Sequence, residues 1–179
     1  MKKAYTINDL KREKYHIKTK QQLKLLFLDI DGVLNSSTTK EKINFHTGID
    51  DEKLLLLKKI IDKTDANIIL TSSWKLNWFY DPGDKVKQDD FTNYLDEKMN
   101  KYGLFPVDKT EGNSFFRGAE IIEYLRVLKK CGFGFNKFVI LDDNIFDFIE
   151  TKLDKYLVKV DYKTGLTYDN VIEAIKKLS

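Results

Sequence analysis

Three short apolar runs in this chain each stop at a polar tip, and that repeated pattern restricts the fold more than any other feature. Residues 23–28 give way to Asp29-Ile30-Asp31-Gly32, residues 66–70 to Thr71-Ser72-Ser73, and residues 138–141 to Asp142-Asp143-Asn144. Unbroken apolar strands belong to a sheet buried on both faces, since a half-exposed strand would alternate. Helical spacing fills the stretches between them. Leu54, Leu55, Leu57, Ile60 and Ile61 give an apolar face to a helix predicted over residues 50–61; Ile121, Ile122, Leu125 and Leu128 do the same over residues 118–130. Strand and helix signals alternate from residue 23 to the end. This predicts an α/β fold with a doubly wound, mostly parallel sheet.

Weaker signals give the remaining elements. Residues 91–102 read as a short helix, 104–107 as a strand, 108–114 as a polar loop, 145–153 as a helix, 156–160 as a strand and 168–178 as a closing helix. Asp81-Pro82-Gly83-Asp84 and residues 161–165 read as turns. Residues 1–22 are polar and lysine-rich, with a helix expected over residues 8–20, and form a peripheral N-terminal extension. The 179 residues suffice for one ordinary core and fall short of two, which leaves residues 23–179 as the main domain.

Composition excludes several classes. Hydrophobic residues at 42% and charged residues at 33% rule out a wholly disordered chain. No run is long enough to span a bilayer and no apolar stretch follows the basic start, so a cytoplasmic protein without a membrane partner is expected. The formal charge of +3 tolerates an anionic partner without requiring one. Cys131, the lone cysteine, excludes an internal disulfide and a thiolate-cluster metal site, and its place near a helix end suits packing.

Asp29 and Asp31 stand two apart at a strand tip. Strand side chains repeat every second residue, so both carboxylates can approach one small volume. Acids that close repel each other unless a cation or a shared proton offsets the charge. Ligands of open α/β sheets collect beyond the carboxyl ends of the strands, where all three polar tips would meet. Each tip taken singly is explained as a turn or helix cap. Three together, two of them paired acids, point to a metal-assisted reaction centre. His16 and His46 are isolated, without a local partner that suggests zinc.

Phe27-Leu28-Asp29-Ile30-Asp31-Gly32-Val33 resembles the first motif of the haloacid dehalogenase-like (HAD) hydrolase superfamily. Ile69-Leu70-Thr71-Ser72 resembles its second motif and Val139-Ile140-Leu141-Asp142-Asp143 its fourth, in matching order and spacing. Thr71-Ser72-Ser73-Trp74-Lys75 and Asp161-Tyr162-Lys163-Thr164-Gly165-Leu166-Thr167 are further similar to a small, capless branch, some members of which accompany RNA-repair enzymes. The resemblance implies a HAD-like, Rossmannoid three-layer fold without a large cap domain, residues 23–179 being the catalytic domain of a Mg²⁺-dependent phosphomonoesterase. By it, Asp29 would be the nucleophile and form an aspartyl-phosphate, while Asp31 would protonate the leaving oxygen and then help activate water. Thr71 would contact a phosphoryl oxygen. Asp29, the backbone carbonyl of Asp31, Asp142 and Asp143 would hold Mg²⁺ through the oxygen ligands it prefers. The family also wants a cation on the transferred group. Arg117 is its best match, in place of the commoner lysine, with Lys109 and Lys137 as alternatives. Asp147 would return as an outer partner one helical turn beyond Asp143, or stay a solvated helix residue.

Around these residues, Ser72 is a candidate outer or substrate contact, and Asn35, Ser36 and Ser37 follow the first motif closely enough to contact a leaving group, or are equally loop polar groups. Trp74, Trp78, Phe79 and Tyr80 are candidates for selectivity by stacking on a base, or fill the core as aromatics more often do. Lys75, Lys85 and Lys87 add cations to the same stretch. Residues 35–50 and 75–116 could roof the site without forming an independent cap. An open site suits a phosphate at the end of a large substrate, so a DNA or RNA end, a 3′-phosphate above all, ranks ahead of a nucleotide or small metabolite. A phosphotransferase and a noncatalytic phosphate-binding module are the rival classes.

Overall fold

A computed structural model describes residues 23–79 and 89–179. The helix expected over residues 8–20, the turn at residues 81–84, and His16, Tyr80, Lys85 and Lys87 lie outside the described residues. The chain runs β1 (Leu23–Leu28), β2 (Lys42–Ile43), β3 (His46–Thr47), α1 (Asp51–Thr64), β4 (Asn67–Leu70), α2 (Asp90–Lys101), β5 (Pro106–Lys109), α3 (Arg117–Lys130), β6 (Phe135–Asp142), β7 (Leu157–Lys159) and α4 (Tyr168–Leu178). Strands β5-β4-β1-β6-β7 form one parallel sheet in that order, and β2-β3 a small antiparallel hairpin.

Alternation along β1 divides the interior in two. Leu26 and Leu28 join Leu54 and Leu57 of α1, Leu95 and Met99 of α2, and Val171 and Ala174 of α4 in one core. Leu25 and Phe27 join Ile121, Tyr124 and Leu128 of α3 in the other. Both faces are covered, which is why the strand is apolar without a break. The chain moves outward from β1 to β4 and β5 along the α1–α2 face. It then returns through α3 to β6 on the other flank of β1. The carboxyl ends of β1 and β6, where the order reverses, are the usual place for a ligand in such a sheet.

Several details correct the sequence reading. Leu55 and Ile122 point outward at 49% and 43% exposure, so both helices bury narrower stripes than their composition suggests. Residues 145–153 form successive turns instead of a helix. Phe146 and Lys152 take left-handed backbone angles (φ 44° and 59°), which a helix does not accommodate. Helix α1 continues to Thr64, β5 begins at Pro106, and β6 extends from Phe135 to Asp142. The β2–β3 hairpin has strands too short to show a period in sequence. The described residues contain no separate cap domain. Cys131 caps the end of α3 as a half-buried free thiol. Among the described residues, no helix is long and apolar enough to cross a membrane.

Candidate active site

Strand register decides which polar tips meet. Leu28 pairs with Leu70 on β4 and with Leu141 on β6, so Asp29, Thr71 and Asp142 are the next residues of one row across three adjacent strands. Backbone bonds carry the row one step further: Asp29 N donates to Leu141 O at 3.0 Å and Thr71 N to Leu28 O at 2.9 Å. Leu28, Leu70 and Leu141 belong to the core beneath α1 and α4, so the alternating residues that follow turn towards α3.

Helix α3 begins there with Arg117. Its Nη1 lies 2.7 Å from Asp29 Oδ2 and 2.5 Å from Asp142 Oδ2, and its guanidinium sits 4.4 Å from the centre of the Phe146 ring. Lys109 donates instead to the carbonyls of Lys75 (2.8 Å) and Trp78 (2.7 Å). Lys137 pairs with Lys24, at the opposite end of β1 from Asp29. Of the three cations considered from sequence, Arg117 is therefore the one in contact with Asp29.

Asp29, Asp142 and Asp143 each offer a carboxylate oxygen, and these atoms lie within 4.8 Å of one another. Burial pushes Asp29 above the usual carboxylate range, against the pull of Arg117. Burial, reinforced by the charge of Asp29, pushes Asp142 up to about 7. Asp143 is raised by the same two causes. Such a cluster fits a divalent cation, and one orphaned atom strengthens the fit. Among the described residues, the buried side-chain polar atoms without a hydrogen-bond partner are Asp29 Oδ1, Thr71 Oγ1, Arg117 Nε and Ser114 Oγ. Buried polar atoms are seldom left so, and here three of them belong to this one constellation.

Asp31 stands at the exposed rim. Its Oδ1 accepts from Asn35 Nδ2 at 3.0 Å and its Oδ2 from Trp74 Nε1 at 2.9 Å. Asn35 Oδ1 in turn accepts from Gly32 N at 2.7 Å, so Asn35 orients the acid, with both ends of its amide engaged. Gly32 has φ +72°, and a Cβ there would run into the Asp143 side chain. In the loops, Ser36 N donates to Thr39 Oγ1 at 2.8 Å, Ser36 Oγ lies 3.4 Å from the same oxygen, and Ser37 Oγ donates to Lys163 O at 3.3 Å. Ser72 is buried beside Asp29 and opposes, without reversing, the rise that burial imposes on its pKa.

Two residues are held by partners that the local sequence does not show. Asp147 lies in the turns after β6 and accepts from Gly118 N (2.7 Å) and Ala119 N (2.9 Å), capping the helix that carries Arg117. Lys75 is 1% exposed, and its Nζ meets Glu120 Oε2 at 2.5 Å and Thr110 Oγ1 at 2.8 Å. Glu120 also accepts from Ser114 N at 2.7 Å, so this pair fixes the loop that leads into Arg117. Sequence reasoning missed Glu120 and Ser114. An acid one turn after Arg117 was a faint signal for the first, and nothing distinguished the second. Trp78 is buried and donates to Asp96 Oδ1 at 2.8 Å, a core role, whereas Trp74 reaches the rim.

A three-layer Rossmann-like domain with acids on two central strand tips, a hydroxyl on the neighbouring tip and a cation from the helix behind them is a HAD-like domain. The family model described as the HAD domain in Swiss Army Knife RNA repair proteins matches residues 25–171, and the chain belongs to that family. At family level it is a HAD-type phosphohydrolase domain. The family's general use of Mg²⁺ agrees with the acidic cluster. No curated protein and no solved structure matches the chain.

Proposed function

We propose that this domain is a Mg²⁺-dependent phosphomonoesterase that works through an aspartyl-phosphate on Asp29, with a polynucleotide 3′-phosphate as its foremost substrate. One observation carries the reading: Asp29 is a buried carboxylate with one oxygen held by Arg117 and the other unpartnered. A carboxylate so oriented is ready to attack.

Asp29, Asp142, Asp143 and the Asp31 carbonyl would hold Mg²⁺, which draws charge from the phosphoryl oxygens and lowers repulsion towards the carboxylate. Thr71 Oγ1 and Arg117 Nε, both without partners, supply donors to the phosphoryl oxygens. Asp29 forms the new P–O bond as the ester P–O bond breaks, and Asp31 gives its proton to the departing oxygen. Asp31, now ionised, then takes a proton from the water that attacks phosphorus and releases Asp29. Asn35 and Trp74 hold Asp31 for both transfers. The exposed position of Asp31 suits a leaving group that extends into solvent. The name of the family concerns RNA repair proteins, which ranks an RNA end first among the polynucleotides to try.

The test is phosphate release with Mg²⁺ from 3′- and 5′-phosphorylated RNA and DNA oligonucleotides, nucleoside monophosphates and small phosphomonoesters. Asp29→Asn should abolish release while leaving the fold intact, and acid quenching should trap phosphate on the wild-type chain alone. Turnover by Asp29→Asn would overturn the nucleophile assignment. A preference for small esters would replace the polynucleotide substrate, and transfer to an added acceptor would favour a phosphotransferase.

A further inference from the structure

We infer that the cavity beside Asp31 is a nucleobase pocket, which takes the base of the nucleoside that carries the scissile phosphate. The inference rests on the phosphomonoesterase reading, because Asp31 is the group that meets the leaving oxygen in it. Whatever fills a cavity bordered by Asp31 is then part of the leaving group.

The cavity has a volume of about 450 Å³, within the range of small-ligand sites. Trp74 is its buried floor, pinned by the indole N–H bond to Asp31. Phe91, in the first turn of α2, lies with its ring centre 3.7 Å from that of Trp74, and His46 of the β3 strand meets Phe91 edge-on at 5.2 Å. Phe91 therefore covers Trp74, and the rings left at the cavity to meet a flat, polarisable ligand are half-buried Phe91 and exposed His46. Asn44 borders the same space and adds an amide, which can both donate to and accept from the edge of a base, while Asn77 Nδ2 is held by Asp89 Oδ2 at 2.8 Å.

Charge separates a base from a sugar–phosphate chain. Asp31, Asp89 and Asp90 all border the cavity. These acids favour the neutral end of the leaving group over a second phosphate. A terminal nucleotide of an oligonucleotide and a free nucleotide both present that end.

The experiment compares kcat/KM for adenosine 3′-monophosphate, a 3′-phosphorylated oligoadenylate and base-free ribose phosphate. Stacking of this kind corresponds to about tenfold or more in the preference for base-bearing esters. Phe91→Ala should remove most of that preference, and His46→Ala, an exposed substitution, a smaller part of it. Independently of turnover, unphosphorylated adenosine should shift the Trp74 indole N–H resonance of the metal-free protein, ribose should not, and Phe91→Ala should weaken the response. Equal kcat/KM with and without a base, or a preference that neither variant reduces, would overturn the pocket while leaving the phosphatase reading in place. Absence of release from every ester would sink the phosphatase reading, and the adenosine titration would still decide the pocket. Similar preferences for the nucleotide and the oligonucleotide would place recognition in the base alone; a much better oligonucleotide would add contacts outside the cavity to it.

Discussion

Replacing Lys75 with methionine separates a structural lysine from one that meets substrate. The ammonium is buried between Glu120 Oε2 (2.5 Å) and Thr110 Oγ1 (2.8 Å), and burial pulls its pKa down against the opposing pull of Glu120. Methionine keeps most of the stem and removes the charge. It leaves the Glu120 side chain, 10% exposed, without its cation. Breaking one side of a buried pair costs about 3–5 kcal/mol. Glu120 keeps two partners, Ser114 N at 2.7 Å and Thr110 Oγ1 at 3.3 Å, which places Lys75→Met at the lower end, about 3 kcal/mol. Adding Glu120→Gln removes the stranded charge and keeps an acceptor for Ser114, so the double variant should recover about 2 kcal/mol. Urea unfolding of the wild type, both single variants and the double variant measures that coupling, provided the m-values agree. A loss below about 1 kcal/mol for Lys75→Met, together with a tenfold rise in KM for a phosphorylated substrate, would refute the reasoning and return Lys75 to the substrate.

Three further outcomes are expected. Thr71→Val should raise stability by about 1 kcal/mol, since it removes a buried hydroxyl without a partner, yet lower phosphate release at least tenfold; a loss of stability would mean that the hydroxyl is satisfied within the fold. Gly32→Ala should cost about 1–2 kcal/mol for its left-handed backbone (φ +72°) and weaken Mg²⁺ binding in calorimetry by displacing Asp143; unchanged affinity would remove Asp143 from the metal set. The hydrogen bond from Lys98 holds Asp51 down to about 2, below the ordinary 3.8, so its contribution is complete above that ordinary value and is lost as pH falls towards 2. The Asp51 side chain is 44% exposed, which limits the effect to about 1 kcal/mol or less, and the stability gap between wild type and Asp51→Asn should close over that window.

Much of the fold is legible in the sequence because burial on both faces leaves no room for polar residues. Strand β1 and helix α4 have the bounds that their patterns predict, Leu23–Leu28 and Tyr168–Leu178. The pattern fails where other forces choose the backbone. Residues 145–153 carry helical spacing, yet Phe148 is drawn wholly into the α3-side core and Asp147 is bound to the amides of α3. Those two anchors hold the chain in turns with left-handed residues. The β2–β3 hairpin is too brief for any period to register.

The site divides along the same line, between what register supplies and what distant partners supply. Asp29, Thr71 and Asp142 are recoverable because each ends an apolar strand, and parallel pairing of Leu28 with Leu70 and Leu141 puts them in one row. The setting of Lys75 is hidden from sequence because the partner that holds it, Glu120, is 45 residues away. Arg117 is the instructive case. A cation on the first residue of a helix opposes the helix dipole, so local preference argues against it. Asp147 takes up the free amides of that helix start, while Asp29 and Asp142 face the guanidinium itself. A locally unfavourable position held by three acids from two other segments is what a functional constraint produces. The rigid guanidinium suits that place: one nitrogen serves both carboxylates, and Nε is left without a partner, as the proposed contact with a phosphoryl oxygen requires.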